Sequence, residues 1–337
     1  MKYKRHLLLI ALIFNLCFFL GSCKDKKMNE FPVDKNKSAA EFLGHSEYRA
    51  MSYGGYRTLT RDDQPTLSQI KEDLKVLSAF GVKVIRTYNL QLDQAPNILK
   101  AIRALKMEDA SFEMYVMLGL WIECENARKS PNHGAEDIAV NTAEIERAII
   151  YSNQYPDIVK IIAIGNEAMV HWQADYFVLP SVILKWVNYL QKLKTQHNLP
   201  SDLWITSSDN FASWGGGDSA YHNEDLTALI KAVDYISLHT YPFHDTHYNS
   251  SFWTESKKNT EHLDPKARIE LAVQSAVDYA VSQYQSVECY VESLGLQTPI
   301  HIGETGWATA SENLYGTSGT QAADEYKQAL YYQKMSD

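Results

Sequence analysis

The chain has 337 residues, 45% of them hydrophobic and 12% aromatic, with 41 acidic against 32 basic side chains and a formal net charge of −9. That much apolar material excludes a disordered polymer and supports one large α/β domain or two ordinary ones. The acidic balance excludes a nucleic-acid partner, which needs a basic face, and fits a neutral substrate.

Lys2, Lys4 and Arg5 precede an apolar run from Leu7 to Leu20, the layout of a secretory signal and too short for a comfortable membrane span. The run ends in Leu20-Gly21-Ser22-Cys23, which resembles a bacterial lipobox, and Lys24-Asp25-Lys26-Lys27 follows. The resemblance implies removal of residues 1–22 and a lipid on Cys23. That lipid would hold the protein at the outer membrane, on the cell surface or the periplasmic side. Plain signal-peptidase cleavage, with Cys23 incidental, is the alternative. Residues 23–46 are polar, lack apolar periodicity and read as a flexible tether. Of the remaining cysteines, Cys124 and Cys289 lie far apart and read as two buried thiols rather than a disulfide framework.

From residue 47 to 337 the pattern is strand, helix, strand, helix, with no change of composition. Ala50–Tyr56 reads as strand one, followed by a helix that a Thr66–Gln69 capping box opens and Gly81 closes. Strands are expected at 82–88, 113–121, 161–167, 203–207, 235–241 and 300–303. Helices fill the intervals around residues 98–105, 141–152, 182–193, 226–233 and 267–294, and a last helix spans 320–335. The polar stretch 123–137 reads as a long rim loop. Such alternation means a parallel sheet, and polar residues directly after each strand favour a TIM-type (β/α) barrel over a doubly wound sheet. No cofactor or metal is expected. Gly215-Gly216-Gly217 lacks the lysine and strand context of a phosphate loop, and His244 and His247 have no third ligand nearby.

Two of these strands end alike. Ile161-Ile-Ala-Ile-Gly-Asn-Glu167 and Pro299-Ile-His-Ile-Gly-Glu304 each run through glycine into a glutamate. A single polar ending is ordinary where a strand meets solvent. Two carboxylates delivered to one rim suggest the acid and nucleophile of a glycosidase.

With Thr305-Gly306-Trp307 after the second glutamate, these stretches resemble the signature strands of glycoside hydrolase family 17, the β-1,3-glucanases of clan A. Tyr53-Gly54, Arg86-Thr-Tyr88 and His239-Thr-Tyr-Pro-Phe243 extend the match over roughly residues 50 to 330. The resemblance implies a retaining hydrolase of laminarin-type β-1,3-glucan, with Glu167 as acid/base and Glu304 as nucleophile. Asn166 would hold the sugar 2-hydroxyl, and Tyr53, Tyr88, Tyr241 and Trp307 would contact glucose. Arg86 would pair with a rim carboxylate, His239 would orient its neighbours, and Asp209, Asn210 and Trp214 would reach the sugar. The charge on Glu304 is expected to raise the pKa of Glu167. A monomer acting on a β-glucan chain is expected. A glucanosyltransferase or a non-catalytic glycan-binding lipoprotein would use the same scaffold. Family members carry an eighth strand after the helix that follows the nucleophile. None is found here before Asp337, so the barrel is expected to be incomplete at its C-terminal side.

Overall fold

Apolar strands rich in Val and Ile, each followed by a helix with one apolar face, leave the chain one way to bury both: strands inside, helices outside. The computed structural model adopts that arrangement and describes residues 37–217, 219–248, 260, 262–310 and 322–336. The strands in chain order are β1 (Arg49–Ser52), β2 (Val82–Arg86), β3 (Tyr115–Leu120), β4 (Cys124–Glu125), β5 (Asn132–Glu136), β6 (Val159–Asn166), β7 (Trp204–Asn210), β8 (Ile236–His239) and β9 (Ile300–Glu304). β4 and β5 form a small antiparallel hairpin, where a long rim loop was expected. The other seven make a single sheet in the order β1-β2-β3-β6-β7-β8-β9, every neighbouring pair parallel, curled into a nearly closed barrel. The seam lies between β1 and β9, where Met51 and Ile302 are exposed, and no eighth strand bridges it among the described residues.

Local chemistry explains the helices. Thr66 and Gln69 cap one another reciprocally, Thr66 Oγ1 accepting from the Gln69 amide and Gln69 Oε1 accepting from the Thr66 amide at 2.9 Å. The helix they open, Leu67–Ala79, buries Ile70 and Leu74 against the sheet. On the strands, Ile85, Val116, Ile162 and Ile205 face the helices. Val84, Met117, Ile161 and Ala163 face the barrel interior with Tyr115 and Tyr235.

That interior corrects the expected tether boundary. Ala39–Phe42 is a short helix whose Phe42 ring stacks on Tyr115 at 4.9 Å, so residues from Lys37 onward belong to the barrel domain. Ser38 and Glu41 form a capping box that marks this helix in the sequence. The lipidation site expected at Cys23 lies outside the described residues. Among the described residues no helix is long and apolar enough to cross a membrane.

Candidate active site

The C-terminal ends of β2, β6, β7, β8 and β9 bring Arg86, Asn166, Glu167, Ser208, His239 and Glu304 together. Period-two alternation sets this up. Arg86 follows Val84 on the inner face of β2, and His239 follows Ser237 on that of β8. Close packing does the rest. A Cβ on Gly303 would meet Ser237 Oγ at 2.0 Å, so only glycine lets β9 approach β8 closely just before Glu304. Gly165, with φ +87°, turns β6 out of its extended path, and Glu167 itself has φ +47°. A non-glycine residue in the left-handed region is strained, and such strain collects at functional sites.

Arg86 is the centre of charge. It is 3% exposed, its Nη1 forms an ion pair with Glu304 Oε1, and its Nη2 donates to Asn166 Oδ1 at 2.7 Å. The Tyr88 ring lies 5.0 Å from the guanidinium. Tyr241 donates its hydroxyl to Glu304 Oε2 at 2.8 Å, and burial raises the phenol pKa so that this proton stays in place.

His239 stands between the two glutamates. Its Nδ1 lies 3.2 Å from Glu167 Oε1 and 3.6 Å from Glu304 Oε2, so those two oxygens are no more than about 7 Å apart. Burial pushes its pKa down to about 4, which leaves the ring neutral with one N–H. A carboxylate can only accept, so the proton sits on Nδ1, and Nε2 accepts from Ser208 Oγ at 2.7 Å. Ser208 in turn accepts from Ser237 at 2.8 Å.

The electrostatics of Glu167 run against the expectation. Burial opposes its ionisation, but the hydrogen bond from His239 and the fields of His239, Arg86 and His244 outweigh it, and its pKa is lowered. The expected raising by Glu304 is not seen because Arg86 sits directly on that carboxylate.

The remaining expected contacts divide. Asn166, Arg86, Tyr241 and His239 gather on the glutamates, with Tyr88 beside Arg86. Tyr53 instead donates to Asp73 at 2.5 Å and packs in the outer core. Trp214 is fully buried and donates to the Ser237 carbonyl at 3.2 Å. Trp307 is 4% exposed, wedged between Phe243 and Tyr331 at 4.7 and 5.7 Å. Asn210 caps the turn after β7 by accepting from the Ala212 amide. Asp209 is wholly buried and holds backbone amides. Tyr53, Trp214, Trp307 and Asp209 are buried in packing or turn geometry, and Asn210, partly exposed, shapes the turn after β7. Sequence reasoning passed over Ser208 and Ser237, which fix the His239 tautomer, and Tyr176, whose ring packs 4.9 Å from Trp121 and whose pKa feels the charge of Glu167. Among the described residues no group of three His, Cys, Asp or Glu is placed to hold a metal ion.

Residues 50–337 match the BtgE/BtgC glycoside hydrolase domain. The structure is similar to the crystal structure of an endo-laminarinase from Formosa Hel1_33_131, with 56% identity and a TM-score of 0.84 over 88% of this chain and 76% of that one. A β-1,3-glucanase and pollen allergen of Cryptomeria japonica, 15% identical, shares the fold with a TM-score of 0.51 over 79% of this chain and 77% of that one. No curated protein matches the sequence. With nearly the whole barrel inside the matched domain, the chain belongs to the BtgE/BtgC glycoside hydrolase family.

Proposed function

We propose that the chain hydrolyses β-1,3-glucan with retention of configuration, Glu304 acting as nucleophile and Glu167 as acid and then base. The observation that carries this is the placement of both carboxylates around His239 Nδ1. Retaining enzymes hold the pair about 5–5.5 Å apart and inverting enzymes about 6.5–9.5 Å, and the bound of about 7 Å admits the retaining spacing while excluding most of the inverting range. The two groups are also unequally supported. Glu304 accepts from Arg86 and Tyr241, which hold it ionised and aimed, as a nucleophile requires. Glu167 accepts only from neutral His239 among the described side chains, and its side chain is 25% exposed, open to a leaving oxygen.

In the first step a Glu304 oxygen bonds to the anomeric carbon while the glycosidic bond breaks, and Glu167 gives its proton to the departing oxygen. In the second, Glu167 takes a proton from water, whose oxygen attacks the same carbon and expels Glu304 as carboxylate. Asn166 accepts from Arg86 through Oδ1, which turns its amide N–H₂ away from the guanidinium for the sugar 2-hydroxyl. The substrate assignment is supported by the endo-laminarinase likeness.

Proton NMR of laminarin-oligosaccharide digestion tests the mechanism. The β-anomer should appear first and mutarotate later. Initial α-anomer would make the enzyme inverting, and no cleavage of laminarin would remove the substrate assignment.

A further inference from the structure

Glu167 occupies a left-handed backbone conformation that needs outside support, and the next strand supplies it on both sides. The Glu167 amide donates to the Ser208 carbonyl at 2.9 Å, and the Met169 amide donates to Asp209 Oδ2 at 2.8 Å. The other carboxylate oxygen of Asp209 accepts from its neighbour Asn210 at 2.8 Å.

The choice of an aspartate here is costly. Asp209 is 0% exposed, and among the described residues no lysine or arginine pairs with it. The ionisable groups whose fields it shares are Glu167 and Tyr176, both acidic. A buried carboxylate with no cation is expensive, and an asparagine or serine would fill the space at lower cost if only packing mattered. Two acceptor oxygens on one short side chain are what this position has and those residues lack. Burial pushes the Asp209 pKa up to about 7, against which the two amide hydrogen bonds favour the ionised form.

We propose that Asp209 is a positioning residue for the acid/base glutamate, its two oxygens clamping the Met169 and Asn210 amides so that the turn through Glu167 stays aimed at the leaving oxygen. The inference rests on the reading of Glu167 given above. It also moves Asp209 from the expected sugar contact to the support behind it.

Loss of aim harms proton donation and spares steps that need none. The test compares laminarin oligosaccharides with 2,4-dinitrophenyl β-laminaribioside, whose phenolate leaves without a proton, measured as first-turnover phenolate release. Asp209→Ala should slow oligosaccharide cleavage by about 100-fold, the scale of a misplacement of about 1 Å, and lower phenolate release by about a tenth of that factor or less. Asp209→Asn, isosteric, can accept through only one atom and should show the same split at about 10-fold. Its circular dichroism and melting curve report the fold. Glu167→Ala is the control. If it shows the leaving-group split and Asp209→Asn does not, the positioning role is wrong while the acid/base role stands. If Glu167→Ala shows no split, the acid/base assignment falls on its own. Equal losses on both substrates in Asp209→Asn, or none on either, overturn the inference.

Discussion

Replacing Arg86 by leucine tests whether the site is built on one buried charge pair. The guanidinium and the Glu304 carboxylate are 4% and 9% exposed, so neither charge can recover its hydration once the other is removed. Breaking a buried pair from one side costs roughly 3–5 kcal/mol, against a total stability of roughly 5–15 kcal/mol for a domain. Tyr241 would still donate to Glu304, which places the loss toward the lower end of that range. Glu304→Leu should also destabilise, because it strands the cation with Asn166 as its remaining partner among the described contacts. The double variant Arg86→Leu/Glu304→Leu removes both charges of the pair and should be more stable than either single variant, with a coupling of about 2 kcal/mol or more. Guanidinium denaturation at pH 7, followed by tryptophan fluorescence, measures all four corners of the cycle. If Arg86→Leu lies within about 1 kcal/mol of the parent, or the double variant equals the sum of the singles, the pair does not organise the site.

Other outcomes follow from the same contacts. His239 has a folded pKa of about 4 against an ordinary 6.5, so the unfolded chain binds its proton first. Stability should be full above pH 6.5, fall by about 3 kcal/mol on descending to pH 4, and lose that slope in His239→Gln. Glu304→Gly should abolish hydrolysis yet join an α-glucosyl fluoride donor to an acceptor, because the cavity replaces the nucleophile and Glu167 remains. The limb of activity lost on raising pH should lie higher for kcat than for kcat/KM, and coincidence of the two would mean that substrate leaves the proton affinity of Glu167 untouched. Apart from these contacts, we propose from the lipobox-like Leu20-Gly21-Ser22-Cys23 that a lipid on Cys23 anchors the protein; Cys23→Ala should then release it from the membrane fraction, and retention after a high-salt wash would refute the anchor.

The strands were legible because their cues are local. Ile161–Ile164 is apolar on both faces, and the Gly-Asn-Glu and Gly-Glu endings name their own chemistry. Arg86 was readable as a partner for a rim carboxylate through its place in the Arg86-Thr-Tyr88 match, and in the structure period-two alternation from Val84 turns it inward. Aromatic residues misled. Tyr53, Trp214 and Trp307 all follow strands, where a ring serves equally as a sugar platform or as packing, and only the tertiary neighbours Asp73, Ser237 and Phe243 decide. Ser208 and Ser237 carried no signal, since their bond depends on the register of β7 against β8, which places them side by side. The helix at Ala39–Phe42 is too short to show a period, and its Ser38–Glu41 capping box was the one local cue to it.

On the proposed mechanism, Arg86 accounts for how one glutamate would serve as acid and then as base. In the resting site the guanidinium neutralises Glu304, so the pKa of Glu167 is set by His239 and by burial, and lies low. Burial is already the largest influence on it and acts upward, and the side chain keeps 25% of its surface in solvent. On the proposed mechanism a neutral glucan chain laid over that surface removes water without adding positive charge, which raises proton affinity where the leaving oxygen needs a donor. Ester formation then takes the negative charge from Glu304 and leaves Arg86 uncompensated in a low-dielectric site. Its field now falls on Glu167 and favours the carboxylate, the form that must draw a proton from water. The switch therefore needs no movement of Glu167, only the transfer of charge at Glu304 beneath a fixed cation.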